Sequence, residues 1–205
     1  MNFLAHIYLS GNNEDIKFGN YIGDFVKGKK FKKYSDDIKT GILLHREIDS
    51  YTDTHAIVHK SIVRMRPAYG KYAGVVIDIL YDHFLAKKWD DYSCEKLESF
   101  VVDFHYTVLE RLGKLPRKAR RFTFPFLKKK RLLCYANLNC FEEVLQKMAI
   151  LTSMPNNVKE AMKIINEDYD LFEDEFVTFF KDLQKHAKIF LNEYVPNRNP
   201  ERKGN

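Results

Sequence analysis

The sequence is poor in turn formers, with 9 Gly and 6 Pro among 205 residues. That scarcity excludes a turn-rich all-β fold, a collagen-like chain and a chain dominated by linkers. Cysteine is equally sparse. Cys94, Cys134 and Cys140 form no CxxC pair and cannot all pair with one another, so reduced thiols in a cytoplasmic setting are expected. No apolar run is long enough to cross a bilayer, so no membrane role is expected. The start, Met1-Asn2-Phe3-Leu4-Ala5-His6, lacks a basic stretch and a cleavage site, and a secretory signal is not expected either. Acid is missing from one long segment: residues 111–131 hold ten Lys/Arg and no Asp or Glu.

What is present is an ordinary globular balance, 45% hydrophobic and 30% charged, with a net charge of +6 that admits an acidic partner without requiring one. The periodicity is helical almost throughout. Ser35-Asp36-Asp37 caps a helix over 36–53, with Ile38, Ile42 and Ile48 on its apolar stripe. A second helix over 55–66 stops near Pro67 and Gly70. Segment 71–88 is apolar on nearly every side and belongs inside a bundle. Further helices are expected over 94–112 and 139–152. A long one near 157–192 carries Phe172, Phe176, Phe179, Phe180, Leu183, Ala187 and Phe190 as a core stripe. Residues 3–9 and 14–26 read as two short helices broken at Gly11-Asn12-Asn13. Strand alternation and internal repeats are absent. The expectation is one all-α domain, a multi-helix bundle over 1–195, followed by a polar, frayed tail over 196–205.

The informative feature is where ionisable groups sit. One face of the 36–53 helix carries Ile38, Ile42, His45, Ile48, Asp49 and Thr52, so His45 and Asp49 meet at helical spacing. Asp78 and Asp82 stand one turn apart inside the most apolar helix, with His83 next to Asp82. His6 lies among Phe3, Leu4, Ala5, Ile7, Tyr8 and Leu9, and Asp24 between Ile22-Gly23 and Phe25-Val26. Each has a bland reading: a hydrogen-bonded core histidine, a carboxylate paired with an arginine, a helix cap. Together they need a common compensation, because buried carboxylates on one face repel unless a cation or proton lies between them. A divalent cation held by His6, Asp24, His45, Asp49, Asp78, Asp82 and His83 supplies it. Nitrogen and oxygen ligation without Cys suits Mn, Fe, Zn or Mg. Arg46, beside His45, either reaches a phosphate or is a solvated surface residue. Asp53-Thr54-His55 either stands behind the ligands, acts as a catalytic pair, or caps a helix.

The basic segment (Arg111, Lys114, Arg117, Lys118, Arg120, Arg121, Lys128, Lys129, Lys130 and Arg131) interleaves with Phe122, Phe124 and Phe126 around Pro125. A smaller cluster runs Lys27, Lys29, Lys30, Lys32, Lys33. The larger patch is either a docking face for an acidic partner or a solvated face with its Phe residues turned inward.

Four ordered blocks resemble the acyl carrier protein phosphodiesterase family. They are Met1-Asn2-Phe3-Leu4-Ala5-His6, Gly19-Asn20-Tyr21-Ile22-Gly23-Asp24-Phe25-Val26-Lys27-Gly28, the run Leu44 to His55, and the run Tyr81 to Trp89. The resemblance implies an all-helical fold distantly similar to HD phosphohydrolases, with rearranged motifs. It implies a manganese-dependent hydrolase that removes 4′-phosphopantetheine from holo-acyl carrier protein. It places metal binding on His6, Asp24, His45, Asp49 and the Asp82-His83 pair. In that reading Arg46 balances phosphoryl charge, His55 or His83 protonates the leaving oxygen, and an acidic carrier protein meets the 111–131 patch. Two alternatives stand beside it. One is an HD-type phosphohydrolase acting on a nucleotide or other small phosphoester. The other is a non-catalytic basic helical module that binds nucleic acid, the disfavoured partner here.

Overall fold

A computed structural model describes residues 3–128 and 131–194. Met1, Asn2, Lys129, Lys130 and the tail expected to be frayed lie outside the described residues. Among those described there are twelve α-helices and no strand. In chain order they are α1 (Phe3–Tyr8), α2 (Glu14–Tyr21), α3 (Asp36–Thr54), α4 (Ala56–Tyr69), α5 (Ala73–Lys87), α6 (Trp89–Tyr92), α7 (Leu97–Glu110), α8 (Arg117–Lys128), α9 (Arg131–Cys134), α10 (Leu138–Leu151), α11 (Val158–Glu167) and α12 (Tyr169–Tyr194). The all-α expectation is met. No helix among the described residues is long and apolar enough to cross a membrane.

Helix α5 is the axis of the bundle. From Val76 to Ala86 every residue except Asp78 is buried, as its mostly apolar composition requires. Around it pack α1, α4, α10 and α12. The Phe stripe of α12 is fully used: Phe172, Phe176, Phe179 and Phe180 are all completely buried. Each contributes about 2 kcal/mol of hydrophobic stabilisation. Helices α2 and α3 touch backbone to backbone, because Gly19 and Gly41 face each other and a Cβ on either would collide with the other helix's main chain. This contact fixes where the residues of α3 stand relative to α2.

Three element boundaries differ from the periodic reading. Helix α2 ends at Tyr21, and Gly23–Phe25 form a separate 3-10 turn. The ring of His45 lies where a side chain at Gly23 would be. The long helix expected near 157–192 is broken at Asp168, which ends α11 and accepts the amide of Phe172 in the first turn of α12. The break lets the Val158, Ala161, Ile165 stripe and the Phe stripe each face the core. Residues 117–128 form a helix despite Pro125, with Ala119, Thr123 and Phe126 inward and the cations outward. Of its other rings, Phe122 is partly covered against Phe3 and Phe25, and Phe124 is exposed. Cys134 and Cys140 also depart from the reduced-thiol expectation. The turn from α9 to α10 brings their Cα atoms to 5.6 Å as a disulfide pair, and Cys94 is free.

Candidate metal centre and its cavity

Two short elements at the start of the chain converge on α3. Helix α1 carries His6, the 3-10 turn Gly23–Phe25 carries Asp24, and α3 carries His45 and Asp49 on successive turns. The His6 and His45 rings stack with centroids 4.2 Å apart. Asp49 bridges them: Oδ1 lies 3.2 Å from His6 Nε2 and Oδ2 lies 3.3 Å from His45 Nε2. Asp24 Oδ1 approaches the same His45 nitrogen at 3.5 Å.

The protonation pattern follows from the neighbours. The Asn20 side-chain amine donates to the carbonyl of His6 at 2.8 Å and to Ser10 Oγ at 2.9 Å, so its carbonyl oxygen faces His6 Nδ1 at 2.8 Å. Nδ1 therefore carries the proton. Burial and the adjacent His45 ring lower the His6 pKa to about 4, so the ring is neutral near pH 7. Nε2 then offers a lone pair to a carboxylate oxygen, a contact of two acceptors that a metal cation or a proton between them would relieve. Neither ring nitrogen of the buried His45 makes a hydrogen bond among the described residues.

The donors fit a divalent ion. Ligands about 2.1 Å from a shared cation lie about 3.0 Å apart in octahedral geometry and about 3.4 Å in tetrahedral geometry, and the contacts above, 3.2 to 3.5 Å, lie near the tetrahedral value. Both carboxylates are ionised. The His45 contact holds Asp24 down at about 2 against its partial burial. For Asp49, burial pulls the pKa up, but its contacts with the His6 and His45 rings outweigh it and leave it lowered.

Beside this cluster opens a cavity of about 690 Å³. Its charged lining is Asp24, Asp78, Arg121, Arg131 and Lys147, and the remainder is mainly apolar, including Phe3, Ile79, Phe122 and Phe126. Asp78 belongs to this cavity. Burial, the largest influence on it, raises its pKa.

The structure does not bring the other expected residues into the cluster. Asp82 is wholly buried, and its carboxylate accepts the backbone amides of Leu4 at 2.8 Å and Ala5 at 3.2 Å. It caps α1 from α5 and so holds the helix that carries His6. His83, 100° round the helix from Asp82, donates from Nδ1 to the Tyr135 carbonyl at 2.7 Å and accepts the Tyr169 hydroxyl on Nε2 at 2.7 Å. Both nitrogens are committed away from the cluster. Arg46 donates from Nη2 to the carbonyls of Val26 at 2.9 Å and Gly28 at 2.8 Å and lies over the Phe31 ring. It braces the loop after Asp24. His55 caps α4 by accepting the amide of Ile57 at 3.3 Å, and Asp53 is exposed in the last turn of α3. Sequence reasoning assigned no role to Asn20, although it is a polar residue one turn from Ile16 on the buried face of α2, the same signal that singled out His45.

The fold and the site together define an all-helical protein with a histidine–carboxylate centre opening on a cavity that also carries cations. The chain belongs to the acyl carrier protein phosphodiesterase family, whose sequence model matches residues 1–183. Among curated proteins it is similar to the acyl carrier protein phosphodiesterase of Yersinia pestis, at 30% identity over 92% of this chain and 98% of the relative. It is similar also to those of Yersinia enterocolitica and Photorhabdus laumondii, each at 29% identity over 92% of this chain and over 98% and 96% of the relatives. No solved structure gives a significant match.

Proposed function

We propose that this chain is a metal-dependent phosphodiesterase that releases 4′-phosphopantetheine from holo-acyl carrier protein of fatty acid synthesis in the cytoplasm, returning the apo form. The observation that carries the reading is the neutral His6 Nε2 set against Asp49, with unpartnered His45 beside it, in a chain of this family. His6, His45 and Asp49 would hold the ion directly, and Asp24 would complete or orient the set. The resemblance favours Mn2+, and Mg2+, Fe2+ or Zn2+ have acceptable donors there. Such an ion supplies a water of lowered pKa and neutralises phosphoryl charge.

The chain's own residues do the rest. Asn20 and Asp82 keep the His6 ring at one angle. Water attacks phosphorus, the bond from phosphorus to the carrier's serine oxygen breaks, and that oxygen leaves with a proton. Asp78, which lines the cavity and has a raised pKa, is the acid we propose to deliver that proton. The exposed Arg117, Lys118 and Arg120 of α8, outside the cavity, suit an acidic carrier protein.

A mass-shift assay tests this. Holo-carrier incubated with the protein and Mn2+ is expected to lose phosphopantetheine, chelator should stop the loss, and His45→Ala or Asp49→Ala should abolish it. Turnover that survives chelation and both substitutions overturns the reading. Release of phosphate from nucleotides with none from the carrier would move it to the small-phosphoester class.

A further inference from the structure

We infer that Arg121 and Arg131 form a phosphate grip in the cavity beside the histidine–carboxylate centre, taking the phosphoester of a substrate that carries an extended apolar arm. The inference deepens the proposed function, on which it rests for the identity of the arm. A phosphoryl group needs a cationic side chain of fixed geometry beside any metal ion, and the nearest arginine in sequence, Arg46, is spent on two loop carbonyls. The half-buried arginines elsewhere are all matched: Arg64 meets Glu175 at 2.8 Å and Asp168 at 3.2 Å, and Arg111 meets Asp15 at 2.6 Å. Arg131 is half-buried too, yet among the described residues neither it nor Arg121 has a carboxylate partner. For Arg131, a guanidinium drawn partly out of water without a counter-charge is costly, and a bound anion offsets that cost; Arg121 is exposed and lines the same cavity. Two planar forks in one cavity match phosphate oxygens in paired hydrogen bonds.

The cavity holds the rest of the argument. Arg121 and Arg131 line it together with Asp24, which touches His45, so cations and centre share one space. Its apolar lining suits an arm of alkyl and amide groups better than a lone inorganic ion. Arg131 stands on a braced element: His83 ties the carbonyl of Tyr135, directly after α9, and Cys134 on α9 pairs with Cys140 on α10. Lys147 lines the same space but meets Glu143 at 3.5 Å, so it is a weaker candidate. The two adjacent residues of α5 thus set both sides of the cavity, Asp82 through α1 and His83 through α9.

Calorimetric titration with free 4′-phosphopantetheine and with pantetheine, which lacks the phosphate, tests the grip without requiring turnover. The wild-type protein is expected to bind the phosphorylated ligand more tightly. Arg121→Gln and Arg131→Gln should each weaken it by about tenfold, the scale of one charge-assisted hydrogen bond. Pantetheine affinity should not move. Arg131→Lys should recover only part, and Lys118→Gln, exposed on the same helix and outside the cavity, should keep wild-type affinity. Unchanged phosphopantetheine affinity in both glutamine variants, with circular dichroism unaltered, overturns the grip even if the wild type cleaves holo-carrier. Arginine-dependent binding in a protein that releases nothing from holo-carrier sustains the grip and overturns the proposed reaction instead.

Discussion

The Asn20 side-chain carbonyl accepts the Nδ1 proton of His6 at 2.8 Å, and this one bond decides which nitrogen of His6 faces Asp49 with a lone pair. A histidine left to itself samples both tautomers. Here the Asn20 amide is locked by the His6 carbonyl and Ser10 Oγ, so the tautomer is set from α2 while the carboxylate that depends on it stands on α3.

Asn20→Ala should therefore weaken Mn2+ binding by about 10–100-fold, the range for losing a partner that orients a ligand. It should also cost about 1–3 kcal/mol of stability, since buried groups lose their hydrogen bonds. Metal titration followed by urea unfolding checks both, and metal affinity equal to the wild type would sink the tautomer argument.

Asp82 makes a pH prediction. Burial, opposed by the amides of Leu4 and Ala5, raises its carboxyl from 3.8 to about 7. Between about pH 4 and 7 the folded state holds a proton that the unfolded chain has released, so this group's contribution is full below 3.8 and is lost as pH rises through that window. His6 acts oppositely, because its lowered pKa makes stability rise as pH climbs from about 4 to 6.5. The wild-type profile is thus flattened, and the difference from Asp82→Asn isolates the aspartate. Relative to wild type, the variant should gain stability with rising pH, by at most about 1.4 kcal/mol per pH unit. Urea unfolding at pH 4–8 reads this directly, and parallel profiles would refute it.

Gly23→Ala places a methyl group on the His45 ring. The ring must move or the 3-10 turn must shift, at about 1–3 kcal/mol. Mn2+ affinity should fall more steeply than melting temperature, because a ligand nitrogen is displaced while most of the core is untouched. Equal metal affinity in variant and wild type would mean that the turn absorbs the change.

Arg46→Ala should act on the loop and not on the phosphoryl group. Amide exchange is expected to speed up over residues 26–33, where its guanidinium holds the Val26 and Gly28 carbonyls and covers Phe31. Free phosphopantetheine should bind as before. A loss of that affinity with exchange unchanged would return Arg46 to the substrate.

Much of the fold could be read from periodicity. The all-round apolar α5 and the Phe stripe of α12 are local patterns, and each sits as its pattern requires. The errors fell where tertiary contact overrides a local signal. The local pattern marks no helix over 117–128, yet α8 forms through Pro125 and buries Ala119, Thr123 and Phe126. Nothing in the local pattern marked Asp168 as a break, because the need for it comes from two stripes that must both reach one core. At the candidate site the anomaly of acids and imidazoles among apolar neighbours was visible, and it singled out His6, Asp24, His45 and Asp49. It also swept in Asp82 and His83, since an apolar neighbourhood says that a polar group has a partner without saying which.

The sequence alone determined that the chain is helical, that α5 is central and that titratable groups are buried in its first half, because burial and helical period are written in residue type and spacing. Only the tertiary structure decided that Asp82 takes backbone amides, that Arg46 takes loop carbonyls and that Arg121 and Arg131 come to one cavity with Asp24. Those assignments depend on which groups distant parts of the chain bring within hydrogen-bond reach, and distance in space is the one quantity that spacing along a chain does not carry.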